Sequence, residues 1–300
     1  MRTGRTRLLG SGVVAGTVVL VVAGGALALR GGATASAAVE SYRVGTSGAS
    51  DTASYWTSGR IAAATPDVGA GTGTALRQAR ALGSAQIFAG SPVLGILLYN
   101  DGKTDHYCTG SVINSQKRDL VLTAAHCLYS SGGFRRNVAF VPKYYGGKEP
   151  YGLWTAKVLV VDHRWKSSYD MDLDFGFVAL NSRGGKQIGD VVGSNQLWIG
   201  QGYRKWVDVM GYPSSGSRPI FCGGWTKKKF TYQIEFDCHG YYGGTSGSPW
   251  VVGYDAKTGT GGVMGVIGGY QRGGNSEYIS YSPVFDKDVW NLRIAANAKA

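Results

Sequence analysis

No acidic residue precedes residue 38, no CxxC pair occurs anywhere, and no stretch after residue 60 sustains a helical heptad. Each absence excludes something. Without closely paired cysteines a structural zinc site lacks its usual ligand spacing, and no metal or organic cofactor is expected. Without heptads a coiled coil is excluded. No fixed-period repeat marks a solenoid or propeller. No nucleic-acid motif accompanies the formal net charge of +12, four units of which (Arg2, Arg5, Arg7 and Arg30) precede residue 38. The surplus reads as a soluble cationic surface and not as a nucleic-acid patch, with attraction to anionic envelopes as its other consequence. The run Lys227-Lys228-Lys229 reads as a solvated turn.

Glycine, by contrast, is abundant, at 48 of 300 residues, about twice the usual ~7%. With 18 tyrosines, that balance suits short strands and tight turns better than long helices. The amino terminus carries Arg2, Arg5 and Arg7, then an apolar stretch over 12–29, then Ala35-Ser36-Ala37. This is the pattern of a secretory signal peptide over residues 1–37, cut after Ala37. The apolar run is also long enough to span a bilayer, so membrane attachment is expected only if that segment stays uncleaved. Either route exports the remainder into a compartment where disulfides persist. The four cysteines, Cys108, Cys127, Cys222 and Cys238, form two local pairs in sequence. Three connectivities remain open; the local one needs only short loops.

Residues 38–85 are rich in Gly, Ala, Ser and Thr. They read as a prosegment or linker, largely disordered, with one short helix over Leu76–Leu82. From about residue 86 short apolar runs recur: Val93–Tyr99, Tyr107–Ile113, Leu120–Thr123, Asn137–Val141, Trp154–Val161, Phe175–Leu180, Lys205–Met210, Phe230–Phe236, Trp250–Val252, Val263–Ile267 and Tyr278–Tyr281. Their spacing predicts an all-β sandwich or barrels. Phe285–Ala296 is the best helix candidate. Gly184-Gly185 marks a soft boundary, dividing two β units at about 86–185 and 186–300.

The chemistry concentrates in two stretches. Gly243-Gly244-Thr245-Ser246-Gly247-Ser248-Pro249 is a glycine-rich turn around one serine. A serine hydroxyl becomes a nucleophile only when a base takes its proton, and the base needs an acceptor on its far nitrogen. The N–H groups of Gly244 and Ser246 can point at one oxyanion. His126 ends the apolar run Leu120–Ala125 beside Cys127 and is the candidate base. His106, His163 and His239 are its rivals. Among Asp170, Asp172 and Asp174, Asp174 abuts the apolar run Phe175–Leu180; a carboxylate there is costly unless hydrogen-bonded. The order His, Asp, Ser excludes the α/β-hydrolase and subtilisin orders.

Thr123-Ala124-Ala125-His126-Cys127, Asp174-Phe175-Gly176-Phe177 and Thr245-Ser246-Gly247-Ser248-Pro249 resemble the histidine, aspartate and serine signatures of the chymotrypsin-like (trypsin-like) serine peptidases. Secreted bacterial members, including the glutamyl endopeptidase group and exported actinobacterial peptidases, are the most similar in kind. The resemblance runs over about 86–300. It implies two six-stranded antiparallel β-barrels with a C-terminal helix, and Cys108–Cys127 as the usual bridge, leaving Cys222–Cys238. It also implies a secreted endopeptidase working through an acyl-enzyme on protein or peptide substrates, with no nucleic acid as partner, as a monomer. The catalytic set would be His126, Asp174 and Ser246, with Gly244 and Ser246 as oxyanion donors. An inactive binding or adhesion module, or an esterase with the same triad, are the alternatives. Two departures follow. Thr245 stands where animal members carry the Asp that pairs with a newly cut amino terminus, so that activation switch is absent. The substrate pocket, expected from Gly240, Ile267, Gly268, Gly269 and Tyr270, lacks both the Asp of trypsins (Gly240) and the His of glutamyl endopeptidases (Ile267). Small or apolar side chains then fit best.

Overall fold

A computed structural model describes residues 38–67, 82–214 and 217–300. The expected signal peptide (1–37) and nearly all of the expected helix at 76–82 lie outside the described residues. In chain order the strands are β1 (Val39–Arg43), β2 (Thr65–Pro66), β3 (Gln86–Ile87), β4 (Leu94–Asn100), β5 (Asp105–Ile113), β6 (Leu120–Thr123), β7 (Tyr129–Ser130), β8 (Gly133–Phe134), β9 (Arg136–Pro142) and β10 (Trp154–Asp162). They continue as β11 (Gly176–Leu180), β12 (Gln196–Leu197), β13 (Trp206–Gly211), β14 (Ile220–Trp225), β15 (Lys227–Phe230), β16 (Gln233–Asp237), β17 (Pro249–Asp255), β18 (Thr260–Val266) and β19 (Ile279–Pro283). The α-helices are α1 (Thr46–Tyr55), α2 (Ser58–Ala63), α3 (His163–Ser168), α4 (Ile188–Val192) and α5 (Lys287–Lys299).

Six strands close on themselves in the order β4-β5-β6-β11-β10-β9, and β9 returns to β4, every pair antiparallel. Alternate residues enter two cores. Leu97, Tyr99, Val112, Val121, Phe140, Leu159 and Val178 form one cluster. Leu98, Leu122, Val141, Val160 and Phe177 join residues of the second half and of α5 (Val289, Leu292, Ala296) in another. Burial on both faces is why these strands read as continuous apolar runs instead of alternating ones. Gly95 and Gly110 face each other across β4 and β5. A Cβ on Gly95 would lie 2.6 Å from a carbon of the Phe140 ring, so the paired glycines make room for that ring.

The second half, expected as the second six-stranded barrel, holds its strands in two sheets around one core. It is a six-stranded sheet, β12-β18-β17-β13-β14-β3, beside a three-stranded sheet, β15-β16-β19. The β12–β18 pair is parallel. The two sheets share a core of Val207, Val209, Ile234, Phe236, Trp250, Met264 and Ile267. Gly224 on β14 leaves space for the Phe236 ring, 2.9 Å from where a Cβ would stand. The run Phe230–Phe236, expected as one strand, is a hairpin: Phe230 closes β15 and Gln233 opens β16. Lys227-Lys228-Lys229 is strand and not a solvated turn. Lys227 Nζ sits 2.9 Å from Glu235 and 2.5 Å from Asp237 across the hairpin, pairings that charge counting along the chain does not reveal. Both cysteine pairs are local, Cys108–Cys127 and Cys222–Cys238.

Residues 38–67 are ordered, contrary to the expectation of a largely disordered segment. β1 adds to the edge of β10, and β2 adds in parallel to β5. Trp56 and Ile61 are buried at 5% and 4% exposure. The Trp56 indole N–H donates to Asn137 O at 2.6 Å. The segment has no core of its own; widely spaced anchors and borrowed backbone partners hold it on the first barrel.

Candidate active site

β5 is the strand on which the site is assembled. The Thr109 amide donates to Ser246 O at 2.8 Å, and its hydroxyl donates to Gly244 O at 3.0 Å. The same hydroxyl accepts the Tyr212 amide at 3.0 Å. Thr123, at the end of β6, donates to Thr109 O at 2.8 Å. The serine loop is therefore tied to the strands that carry the histidine turn. Gly244 and Gly247 adopt φ of +89° and +82°, the left-handed region that glycine tolerates. A Cβ at Gly247 would fall 2.2 Å from both Thr109 O and Thr123 Oγ1, so this corner requires glycine twice over.

His126 lies in a 3-10 turn, Ala125–Cys127, directly after β6. The Cys127–Cys108 bridge pins that turn to β5. A Cβ on Gly268 would stand 3.4 Å from the Ala124 methyl, and one on Gly247 3.1 Å from the Ala124 amide nitrogen, so Ala124 lies close to both glycines. The imidazole Nδ1 is 2.8 Å from Asp174 Oδ2, and the His126 amide donates to Asp174 Oδ1 at 2.9 Å. The Gly269 amide donates to Oδ2 at 2.9 Å. Asp174 is fully buried and His126 is 2% exposed. Burial alone would raise the Asp174 carboxyl, but the charge of His126 and the hydrogen bonds from His126 and Gly269 outweigh it and hold the group below the usual carboxylate range.

The rival residues are placed elsewhere. Asp170 caps the turn Met171–Leu173 by accepting the Asp172 amide. Asp172 accepts the Gln233 side-chain amide at 2.7 Å. His106 meets Asp101 at 3.2 Å, His163 meets Glu40 at 2.8 Å and His239 meets Glu277 at 2.7 Å. Of the four histidines, His126 is the one joined to Asp174.

Of the expected pocket residues, Ile267, Gly268 and Gly269 contact Gly247 or Asp174, while Gly240 and Tyr270 bond to other partners. The Gly247 amide donates to Ile267 O and the Ile267 amide to Ser248 O, at 2.7 and 2.9 Å. A Cβ on Gly268 would stand 2.7 Å from Asp174 O. The Tyr270 amide donates to the Gln233 side chain at 3.0 Å, while the Gly240 amide donates to Glu277 Oε2 at 2.7 Å. Thr245 is buried and its hydroxyl donates to Tyr242 O at 2.7 Å within the same loop.

Three residues escaped the sequence analysis. Gln233 joins the Asp170–Asp174 turn to Tyr270 by donating to Met171 O and Asp172 while accepting from Tyr270. Asp67 and Arg272 form an ion pair at 3.1 Å, and Asp67 Oδ2 lies 3.4 Å from His126 Nε2. The one available signal for Asp67 was that it is the sole acid between Asp51 and Asp101. His126 Nε2 is buried and has no hydrogen-bond partner among the described residues. Burial and the Asp67 charge push the neighbouring Tyr99 phenol up. Asp67, Cys108, His126 and Cys127 cluster closely enough for a cation, but both cysteines are in the disulfide, so the cluster lacks a ligand set.

Comparison with known proteins agrees with this fold. The family model described as Trypsin matches residues 86–286. The crystal structure of protease Anisep from Arthrobacter nicotinovorans is 28% identical, with a TM-score of 0.64, covering 71% of this chain and 99% of that one. The thermostable serine protease AL20 from an extremophilic microorganism is 27% identical, with a TM-score of 0.62 over 68% of this chain and 97% of its own. A Glu endopeptidase structure shares the fold at 19% identity and a TM-score of 0.58, over 73% and 99% of the two chains. A search of curated proteins gave no match. The fold is chymotrypsin-like, and this chain belongs to the Trypsin family as a serine-type endopeptidase.

Proposed function

We propose that the chain hydrolyses peptide bonds through an acyl-enzyme formed on Ser246. The observation that carries the assignment is the buried His126 Nδ1–Asp174 Oδ2 contact at 2.8 Å. It fixes the tautomer in which Nε2 holds the lone pair and can accept a proton. Ser246 attacks the substrate carbonyl as His126 takes its proton. The oxyanion is received by the N–H groups of Gly244 and Ser246. His126 then returns the proton to the departing amine, and water repeats the sequence on the acyl group. Asp174 orients the imidazole and stabilises the cation formed in each half-reaction. Apo-state bonds between base and nucleophile often tighten only on substrate binding.

Export is part of the proposal. It is supported by the basic, apolar and small-residue pattern of residues 1–37 and by two disulfides, which persist outside the reducing cytosol. Among the described residues no helix is long and apolar enough to cross a membrane. Gly240 and Ile267–Tyr270 are proposed to form the pocket for the residue before the scissile bond, favouring small or apolar side chains.

Replacing Ser246 by Ala should abolish amide hydrolysis while leaving circular dichroism unchanged; retained turnover of a general protein substrate would reject the nucleophile. Matched ester and amide substrates separate a peptidase from an esterase. Sequencing the amino terminus of the exported product tests the cut after Ala37.

A further inference from the structure

We propose that Thr65-Pro66-Asp67 is an intramolecular ligand of the catalytic cleft and holds the enzyme latent, with Asp67 as the latch; this rests on the roles assigned above to Ser246, His126 and Gly244. Two groups needed for catalysis are engaged by this one residue, and the nucleophile is itself buried. Asp67 O accepts the Gly244 amide at 3.0 Å, so the oxyanion donor already serves a carbonyl. The Asp67 carboxylate stands 3.4 Å from His126 Nε2, on the side of the imidazole from which a serine hydroxyl or leaving amine must be reached. Ser246 itself is 2% exposed.

The segment is built to stay in place. The Asp67 amide donates to Tyr107 O at 2.9 Å, continuing the parallel pairing of Thr65 with His106 and Pro66 with Tyr107. Gly243 has no side chain where a Cβ would lie 2.9 Å from Asp67 O. Asp67 is 5% exposed, a costly place for a carboxylate without a partner. Arg272 supplies that partner at 3.1 Å. Arg272 and Gln271 both sit at φ of +54°, a conformation that persists in non-glycine residues only where surroundings impose it. The Asp67 ion pair is one such constraint, and it spans the cleft from the first barrel to the loop after Ile267. Upstream, Ile61 and Trp56 are buried in the barrel, and Arg60 bonds Asp105. The arrangement offers latency without the amino-terminal switch that Thr245 removes: a carbonyl and a carboxylate from the chain's own segment occupy the cleft.

The test uses the full exported chain. The second-order rate of Ser246 labelling by a small fluorophosphonate is compared for wild type, Asp67→Ala, Asp67→Asn and Ile61→Ser. A closed population of nine-tenths or more limits the competent fraction accordingly, so Asp67→Ala and Ile61→Ser should each label about tenfold faster or more. Asp67→Asn, which keeps the shape and loses the Arg272 pair, should fall between. A free peptide of the Ser58–Asp67 sequence should slow Ile61→Ser back toward wild type. Wild type labelling as fast as Asp67→Ala overturns the latch and leaves Ser246 as nucleophile. Folded protein in which neither wild type nor any variant labels overturns the Ser246 assignment, and the latch with it.

Discussion

Asp174→Asn is the sharpest probe of the site geometry. The carboxylate accepts three N–H donors: the His126 amide on Oδ1, and His126 Nδ1 and the Gly269 amide on Oδ2. An asparagine has one acceptor oxygen and one NH2. With its oxygen in the Oδ2 position, the NH2 opposes the His126 amide and the negative charge is gone. With the oxygen in the Oδ1 position, the NH2 opposes the Gly269 amide and imposes the tautomer in which Nε2 carries the proton. In the first arrangement the imidazolium loses a countercharge at 2.8 Å, about 6 kcal/mol at an effective dielectric of about 20. In the second, the base is in the wrong form. Either way kcat should fall about 10⁴-fold. Each opposed backbone N–H should also cost about 1–3 kcal/mol of stability. Single-turnover kinetics at a temperature where far-UV circular dichroism shows the variant folded separates the two effects. A kcat within tenfold of wild type would refute the reasoning.

Further outcomes follow from particular contacts. Gly247→Ala places a methyl 2.2 Å from two oxygens at φ +82°, so overpacking and backbone strain should cost about 3 kcal/mol, read as a thermal midpoint about 10 °C lower. Because the folded Asp174 carboxyl titrates below its unfolded counterpart, its stabilisation is complete above the unfolded value of about 3.9 and is lost as pH falls through the folded one. The urea-midpoint gap between wild type and Asp174→Asn should therefore shrink below about pH 4; a gap that widens in acid would contradict this. Gln233→Leu leaves the Tyr270 amide without its acceptor and should raise KM more than it lowers kcat. Replacing Cys108 and Cys127 together by Ser should cost about 3 kcal/mol of chain entropy, measured by denaturant unfolding.

The candidate constellation was legible because its residues carry local signatures. His126 follows an apolar strand beside a cysteine, Asp174 precedes a buried one, and Ser246 lies among glycines; their order selects among hydrolase folds. The first barrel was legible because strands buried on both faces form long apolar runs. The second half was less so. β14 is interrupted by Gly223-Gly224, and β15 is a lysine run whose pairing with Glu235 and Asp237 exists only across the hairpin. Residues 38–67 escaped for a related reason. β1 and β2 are held by backbone pairing to existing edges, which needs no apolar alternation, and Trp56 and Ile61 are too sparse to form a pattern. Asp67 is a surface-type residue in a polar segment until the fold brings Arg272 and His126 to it.

The central claim is that Ser246 is the one activated serine of this chain. Mapping the fluorophosphonate adduct by peptide mass spectrometry tests it directly. The account predicts a single adduct on the peptide containing Gly244-Thr245-Ser246-Gly247-Ser248, lost in His126→Ala. An adduct on another serine, or one that survives the loss of His126, would contradict it.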